Sequence, residues 1–458
     1  MSDNTNLQVP DGVPVPRRYW AILAIGFGIT VSVLDGVIAN VALPAIAKDL
    51  HTNPSLSIWV VNAYQLAITI SLLSLSSIGE IWGYRKVYTY GLLLFSCTSL
   101  ACALSDSLPT LIIARTLQGF GAAAITSVNT ALIRIIYPKR FLARGMGLNA
   151  LVISVSAAAG PTIAAGILSV ANWPWLFAIN IPIGVTALLI SYRFLPPNPI
   201  KIKGRRFDIE GGLLNAVTFA LLIAIIEGFT HDINIYIILI IVTIAILTGY
   251  VYIKRETKQD YPLFPVDLLK IPIFSLSILA SVFSFMSQML AMVSLPFFLQ
   301  RVLGKDEVAT GLLLTPWPLA TMIFAPLAGF LSDKIKAGML GCIGMLIFAT
   351  GLFLLATMPS NPSNIEIIWR MAICGCGFGL FQTPNNSTII GSAPSSRSGG
   401  ASGMLGTARL MGQTMGASLV ALMFKLFPGH SMHVSLLLGC IISVVAAFIS
   451  VLRVGNKI

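Results

Sequence analysis

Asp35 and Arg115 are the residues of this chain best placed to do chemistry. Asp35 stands in Val33-Leu34-Asp35-Gly36-Val37-Ile38-Ala39-Asn40-Val41-Ala42-Leu43-Pro44, inside the first long apolar stretch. Helical spacing puts it near mid-membrane, somewhat toward the outer half. A carboxylate there is costly, or gives up its charge by taking a proton. A group that must choose between a proton and a charged partner is what a proton-coupled carrier needs. No other Asp or Glu is expected deep in an apolar segment. Arg115, in Ala114-Arg115-Thr116-Leu117-Gln118-Gly119, is also inside a span. An arginine cannot shed its charge, so it needs water, backbone carbonyls or a carboxylate. With a rise of 1.5 Å per residue, Arg115 lies roughly 9 Å below the outer end of its helix and Asp35 roughly 13 Å below Pro44. The depths match, so a Coulombic link is geometrically allowed. An arginine snorkelling to the near outer face is the alternative.

The elements that must position this pair are membrane helices. The chain has 458 residues, 56% hydrophobic and only 10% charged, which excludes a soluble domain. Its apolar runs are continuous, not alternating, which excludes a β-barrel. Fourteen segments are long enough to span, so the fold class is an all-α polytopic membrane protein. The net charge of +12 does not indicate nucleic acid. With fourteen spans and both termini cytoplasmic, 22 of the 29 Lys and Arg fall on the inner side. That asymmetry is the positive-inside rule. The N-terminal stretch ending in Arg17-Arg18 reads as a cytoplasmic tail, not a cleaved signal.

The six cysteines lie in apolar helices and read as small hydrophobes, so no disulfides are expected. Cys374-Gly375-Cys376 lacks metal-ligand spacing, and neither a metal nor a cofactor is expected. His51, His231, His430 and His433 fall in outer loops, which leaves histidine outside the intramembrane proton path.

The longest inner connections, near 193–208 and 254–271, are basic and bracket a helix pair. The expected organisation is a tail at 1–18 and a six-helix half at 19–195. Basic loops with two extra helices (209–227 and 234–253) fill 196–271. A second six-helix half occupies 272–453, and a tail 454–458. The halves echo each other: Gly79-Glu80-Ile81-Trp82-Gly83-Tyr84-Arg85-Lys86 in the first, Gly329-Phe330-Leu331-Ser332-Asp333-Lys334 in the second. Arg144-Gly145-Met146-Gly147 and Arg397-Ser398-Gly399-Gly400 open corresponding small-faced helices. Internal repeats of this kind point to a carrier that rocks two halves around a central site.

Three motifs carry the mechanism. Glu80, Gly83, Arg85 and Lys86, with Asp333 as counterpart, form a gating loop in which an acid can accept from helix N-termini and arginines across the seam. Plain positive-inside charge is the bland alternative. Gly147, Gly160 and Pro161 lie on a small-faced helix where Gly-Pro removes an intrahelical bond. A central cavity should collect Asn62, Tyr64, Gln65 and Asn129 from the first half. The second half should supply Gln288, Met289, Met292, Trp317, Phe381, Gln382 and Asn385. Methionines and aromatics repack around varied substrates. Arg409, near mid-depth, meets either an anionic group or helix carbonyls.

These residues resemble the fourteen-helix drug:proton antiporter family of bacterial inner membranes, within the major facilitator superfamily. Leu34 to Pro44 is similar to its first-helix signature, and Arg115-Thr116-Leu117-Gln118-Gly119 to its helix-four motif. Ser76 to Lys86 resembles the superfamily loop, with Ser76, Glu80 and Ile81 where Gly, Asp and Arg are usual. Gly147, Ser156, Gly160-Pro161 and Ala164-Ala165 resemble the antiporter motif, with small residues replacing three glycines. Trp173 to Gly184 fits too, with Pro174 where a basic residue is common. The resemblance implies that Asp35 and Arg115 form the proton-coupling centre of a monomeric exporter of small amphiphilic compounds, driven by the proton gradient. Export of one metabolite, siderophore or amino acid is the alternative on the same scaffold; a non-transporting membrane sensor is a third. With few carboxylates, the cavity should favour lipophilic monocations, neutral or zwitterionic compounds over dications. The topology is testable by cysteine labelling: an impermeant outside reagent should modify His231→Cys and leave Lys203→Cys untouched, and the reverse pattern would invert the orientation.

Overall fold

Long apolar runs form helices because a backbone in hydrocarbon must satisfy its N–H and C=O groups within the segment. In the computed structural model the described residues are 12–453, apart from 53, 58, 199–206, 231–233, 260–261, 306, 360 and 428–429. The tail 454–458, most of the tail 1–18, and His231 and Lys203 lie outside the described residues.

Among the described residues, fourteen long helical segments follow one another. The first half holds α1 (Arg17–Asp49), α2 (Trp59–Trp82), α3 (Tyr84–Ala103), α4 (Leu108–Ile136), α5 (Leu142–Val170) and α6 (Pro174–Phe194). The inserted pair is α7 (Ile209–Thr230) and α8 (Ile235–Glu256). The second half holds α9 (Pro272–Phe297), α10 (Ala309–Leu331), α11 (Ala337–Ala356), α12 (Asn364–Ser392), α13 (Ser398–Leu426) and α14 (Ser431–Leu452). Among the described residues, eleven of these are long and apolar enough to cross a membrane by length and composition alone. Of the others, α3 carries Arg85 and Lys86 in its first turn, α13 is rich in Gly, Ser and Thr and carries Arg409, and α7 contributes a shorter apolar run.

The packing repeats between halves. In the first, α1 lies on α5 and α6, α2 on α4, and α3 on α4 and α6. In the second, α9 lies on α13 and α14, α10 on α12, and α11 on α12 and α14. Two seams join the halves, α5 against α10 and α2 against α13. This arrangement is the major facilitator fold with a helix pair inserted between its halves. Helix α7 rests on α2 and α13, and Asn215 donates to the Ile70 carbonyl of α2 at 2.9 Å.

Close approach at the seams depends on missing side chains. A Cβ on Gly147 would stand 2.9 Å from the Ala325 carbonyl oxygen and 3.0 Å from Pro326 Cα, both backbone atoms of α10. On Gly160 it would stand 2.6 Å from Val37 Cγ1 of α1. The helix α5 runs unbroken through Gly160, whereas the side chain of Pro161 lies outside the described residues. Gly83 has φ +113, a left-handed conformation open to glycine, and starts α3 directly after α2. Asn198 ties that turn to the end of α6, accepting from Tyr84 N at 2.8 Å and donating to the Gly79 carbonyl at 3.0 Å.

Gly147→Val should therefore push α5 off α10 and cost about 1–3 kcal/mol, as overpacking does. Gly166→Ala, with nothing within 4 Å of the added carbon, should be neutral. Thermal unfolding of the purified proteins checks the pair, and equal melting temperatures would refute the close seam.

Candidate functional site

Helix α1 carries Asp35 and α4 carries Arg115 into the interior of the first half, where they are 1% and 0% exposed. Arg115 Nη1 donates to Asp35 Oδ2 at 2.5 Å and to Gln118 Oε1 at 2.6 Å; its Nε donates to the Val60 carbonyl at 3.1 Å. The other carboxylate oxygen, Oδ1, accepts from Gln118 Nε2 at 3.1 Å and from Asn180 Nδ2 of α6 at 2.8 Å. Gln118 Nε2 also donates to Ser99 Oγ of α3 at 2.8 Å. The guanidinium lies 4.2 Å from the Tyr64 ring centroid and 5.4 Å from that of Phe177, a cation–π setting. Tyr64 OH donates to the Ser32 carbonyl at 3.2 Å. Five helices thus converge on one ion pair.

The groups donating to Asp35 are all N–H donors. An ionised carboxylate, an acceptor only, suits them; a protonated one must donate a hydrogen bond, and among the described residues the atoms now bonded to Asp35 only donate. Asn180 Oδ1 is buried and has no hydrogen-bond partner among the described residues, so turning the Asn180 amide over would present an acceptor. Asn180 and Gln118 had no assigned role in the sequence. Gln118 was within reach, since a residue three positions after Arg115 shares its helix face.

A second set of charges joins the halves at the Arg-rich end. Arg397, just before α13, donates to Glu80 at 3.0 Å, to both oxygens of Asp267 at 2.8 Å, and to the Pro262 carbonyl at 2.8 Å. Glu80 Oε1 accepts from Gly400 N at 2.6 Å, in the first turn of α13, where a negative charge meets the positive helix end. Ser76 donates to the Gly399 carbonyl at 2.5 Å and Thr130 to Ser402 at 2.5 Å. At the other seam Arg144 holds Asp333 at 2.5 Å. Burial pulls the Arg397 guanidinium down, but Asp267 and Glu80 outweigh it and raise its proton affinity above that of an ordinary arginine. Arg85 turns away from this set to the Tyr192 carbonyl, and Lys86 is exposed.

A central cavity lies between the halves. It is lined by Asn129, Asn149, Gln382, Asn386, Ser402 and Arg409, with Ile29, Leu72, Phe285 and Leu405 among its apolar walls. The cavity expected from sequence needs correction. Trp317 is packed edge-on to Phe348 at 5.2 Å inside the second half, and Phe381 is buried beside Gly341 and Gly344 of α11. Asn385 donates to Ser281 at 2.8 Å and accepts from Arg453, clamping α12 to α9 and α14. Tyr64 belongs to the ion pair. Asn62, Gln65, Gln288, Met289 and Met292 do not line this cavity; Gln65 is exposed and Met292 packs in the second-half core. Residue type marked these side chains as candidates, but helix rotation decided which face they occupy.

The profile of the Major Facilitator Superfamily matches residues 25–417 and 276–456. The chain belongs to that superfamily. It is 59% identical over 444 residues to the uncharacterized transporter YebQ of Escherichia coli strain K12, covering 97% of both chains. It is 30% identical to the riboflavin transporter RibZ of Clostridioides difficile strain 630, covering 89% of both. It is also 30% identical to the multidrug resistance protein Stp of Mycobacterium tuberculosis strain CDC 1551 / Oshkosh, covering 87% of this chain and 74% of that one. The protein is a multi-pass membrane transporter, and superfamily membership identifies it as no enzyme.

Arg397→Gln should remove the cation that bridges Glu80 and Asp267 at the seam, a loss on the order of 3–5 kcal/mol for a buried pair. N-ethylmaleimide should then modify a Thr130→Cys reporter faster than in the parent. An unchanged rate would show that Arg397 does not hold this end shut.

Proposed function

We propose that this transporter is a proton-coupled antiporter of the fourteen-helix drug:proton type, exporting small amphiphilic compounds across a bacterial inner membrane with both termini cytoplasmic. The observation that carries this reading is the buried Asp35–Arg115 pair in an all-donor shell. The likeness to Stp supports multidrug export. The likeness to RibZ favours a second reading, export of one dedicated compound.

In the proposed cycle, a proton on Asp35 removes the negative charge that holds Arg115, and the Asn180 amide turns to receive the new O–H. The link between α1, α4 and α6 loosens. Two residues further along α1, Val37 bears on Gly160 of α5, and the same α5 bears on α10 through Gly147. A change at Asp35 therefore reaches the seam through contacts in line. Glu80, Arg397, Asp267, Arg144 and Asp333 close the cytoplasmic end while the cavity faces outward. Substrate loading from the cytoplasm requires these pairs to part, and loss of the Asp35 proton resets α1 against α4. The proton gradient supplies the driving force, and a monomer contains every group the cycle uses.

Everted vesicles presented with a panel of compounds in the outer medium test the reading. Wild-type protein should accumulate substrate against its gradient when a pH gradient is imposed, and release protons as it does so. Asp35→Asn should abolish accumulation by at least about 100-fold, the scale of losing a proton-transfer group. Undiminished pH-driven accumulation by Asp35→Asn would remove Asp35 as the carrier.

A further inference from the structure

Arg409 lies eleven residues along α13 from Ser398. At 1.5 Å per residue that is about 17 Å from the helix start, near the middle of a hydrocarbon core about 30 Å thick. An arginine at this depth has no neutral form to retreat to, and its charge is expensive unless something solvates it.

The other deeply buried arginines solve this problem with protein groups. Arg115 has Asp35, Arg397 has Glu80 and Asp267, and Arg453 donates to Ser277 at 2.9 Å and to Asn385. Arg409 has neither an ion pair nor a hydrogen bond to any of the described residues. It is half-buried and faces the central cavity. Among the described residues, the cavity lining contains no Asp or Glu. Asp35 does not compensate it, since both of its oxygens are engaged by Arg115, Gln118 and Asn180. A guanidinium serving only to cap helix carbonyls would show those bonds, and one snorkelling to an interface would stand nearer a helix end. Instead the cavity contains an unpaired cation, a ring of amides and hydroxyls, and apolar walls.

We propose that the cavity selects amphiphilic compounds carrying an anionic group, a carboxylate, sulfonate or phosphate, seated on Arg409. The guanidinium offers a two-pronged donor to such a group. The Asn129–Asn149 pair, joined at 2.8 Å, and the amides of Gln382 and Asn386 are placed to accept or donate around it. Ile29, Leu72, Phe285 and Leu405 provide contact for the apolar body. A lipophilic monocation would meet Arg409 with no acid to offset it, so this class, admitted on sequence grounds, is disfavoured here. The assignment rests on the reading of this cavity as the transport site.

Cavity charge can be measured without knowing the natural substrate. Ile153 lines the same cavity on α5, and Ile153→Cys in an otherwise cysteine-free full-length chain serves as reporter. Its rates of reaction with 2-sulfonatoethyl methanethiosulfonate and with 2-(trimethylammonium)ethyl methanethiosulfonate are compared. Arg409→Gln should lower the anionic-to-cationic rate ratio by at least about tenfold, because a unit charge in a low-dielectric cavity acts with opposite sign on the two reagents. Arg409→Lys should largely preserve the ratio. A ratio unchanged by Arg409→Gln, or a reporter that neither reagent reaches, overturns the proposal. In everted vesicles fluorescein should be exported in preference to rhodamine 123, and Arg409→Gln should erase that preference. Preferred export of rhodamine 123, or export of neither dye, also overturns it. The labelling ratio does not depend on proton coupling. Asp35→Asn vesicles that still pump would sink antiport and leave the ratio standing, whereas a charge-blind ratio with Asp35-dependent pumping would sink anion selection alone.

Discussion

The salt bridge between Asp35 and Arg115 is the constraint around which the first half is built. Two charges withdrawn from water are tolerable only with close pairing and further hydrogen bonds. The chain meets that requirement with groups from five helices: Tyr64 and the Val60 carbonyl from α2, Ser99 from α3, Gln118 from α4 and Asn180 from α6, besides α1 itself. Any movement of α1 relative to α4 must first deal with this pair. Altering its charge is therefore an economical way to alter the packing of the half.

The same rule, that a buried charge must be answered, organises the Arg-rich end. Arg397 draws on Glu80 from the first half and on Asp267 from the segment that follows the inserted helices. Three parts of the chain far apart in sequence are thereby pinned at one point. The small residues of α5 and α13 bring the helix backbones close enough for such short bonds to form.

Much of this was legible in the sequence. Hydropathy located most of the helices, because a membrane leaves the backbone few other choices. Asp35 and Arg115 stood out as charges in apolar runs, and simple helical rise placed them at matching depths. Other features depended on rotation and on partners distant in sequence. Trp317 and Phe381 looked like cavity residues by type, yet α10 and α12 turn them into the second-half core. Asn385 was marked as a polar cavity group, but Arg453, at the end of α14, claims it. Asp267 lay in a loop with no pattern to link it to Arg397. Asn180 was visible as an amide in an apolar setting; its partner was not.

The position of α7 alters the relation between the cavity and the surrounding lipid. A two-half bundle has two flanks where its halves meet, and both border the bilayer. Here α7 lies across the flank formed by α2 and α13, with Asn215 fastened to α2 and Leu73, Phe219 and Tyr252 closing the join. Among the described residues, the flank formed by α5 and α10 has no such cover from the inserted pair. The inserted pair thus makes the two flanks unequal: lipid beside α2 and α13 meets α7, whereas lipid beside α5 and α10 meets the close-packed seam itself.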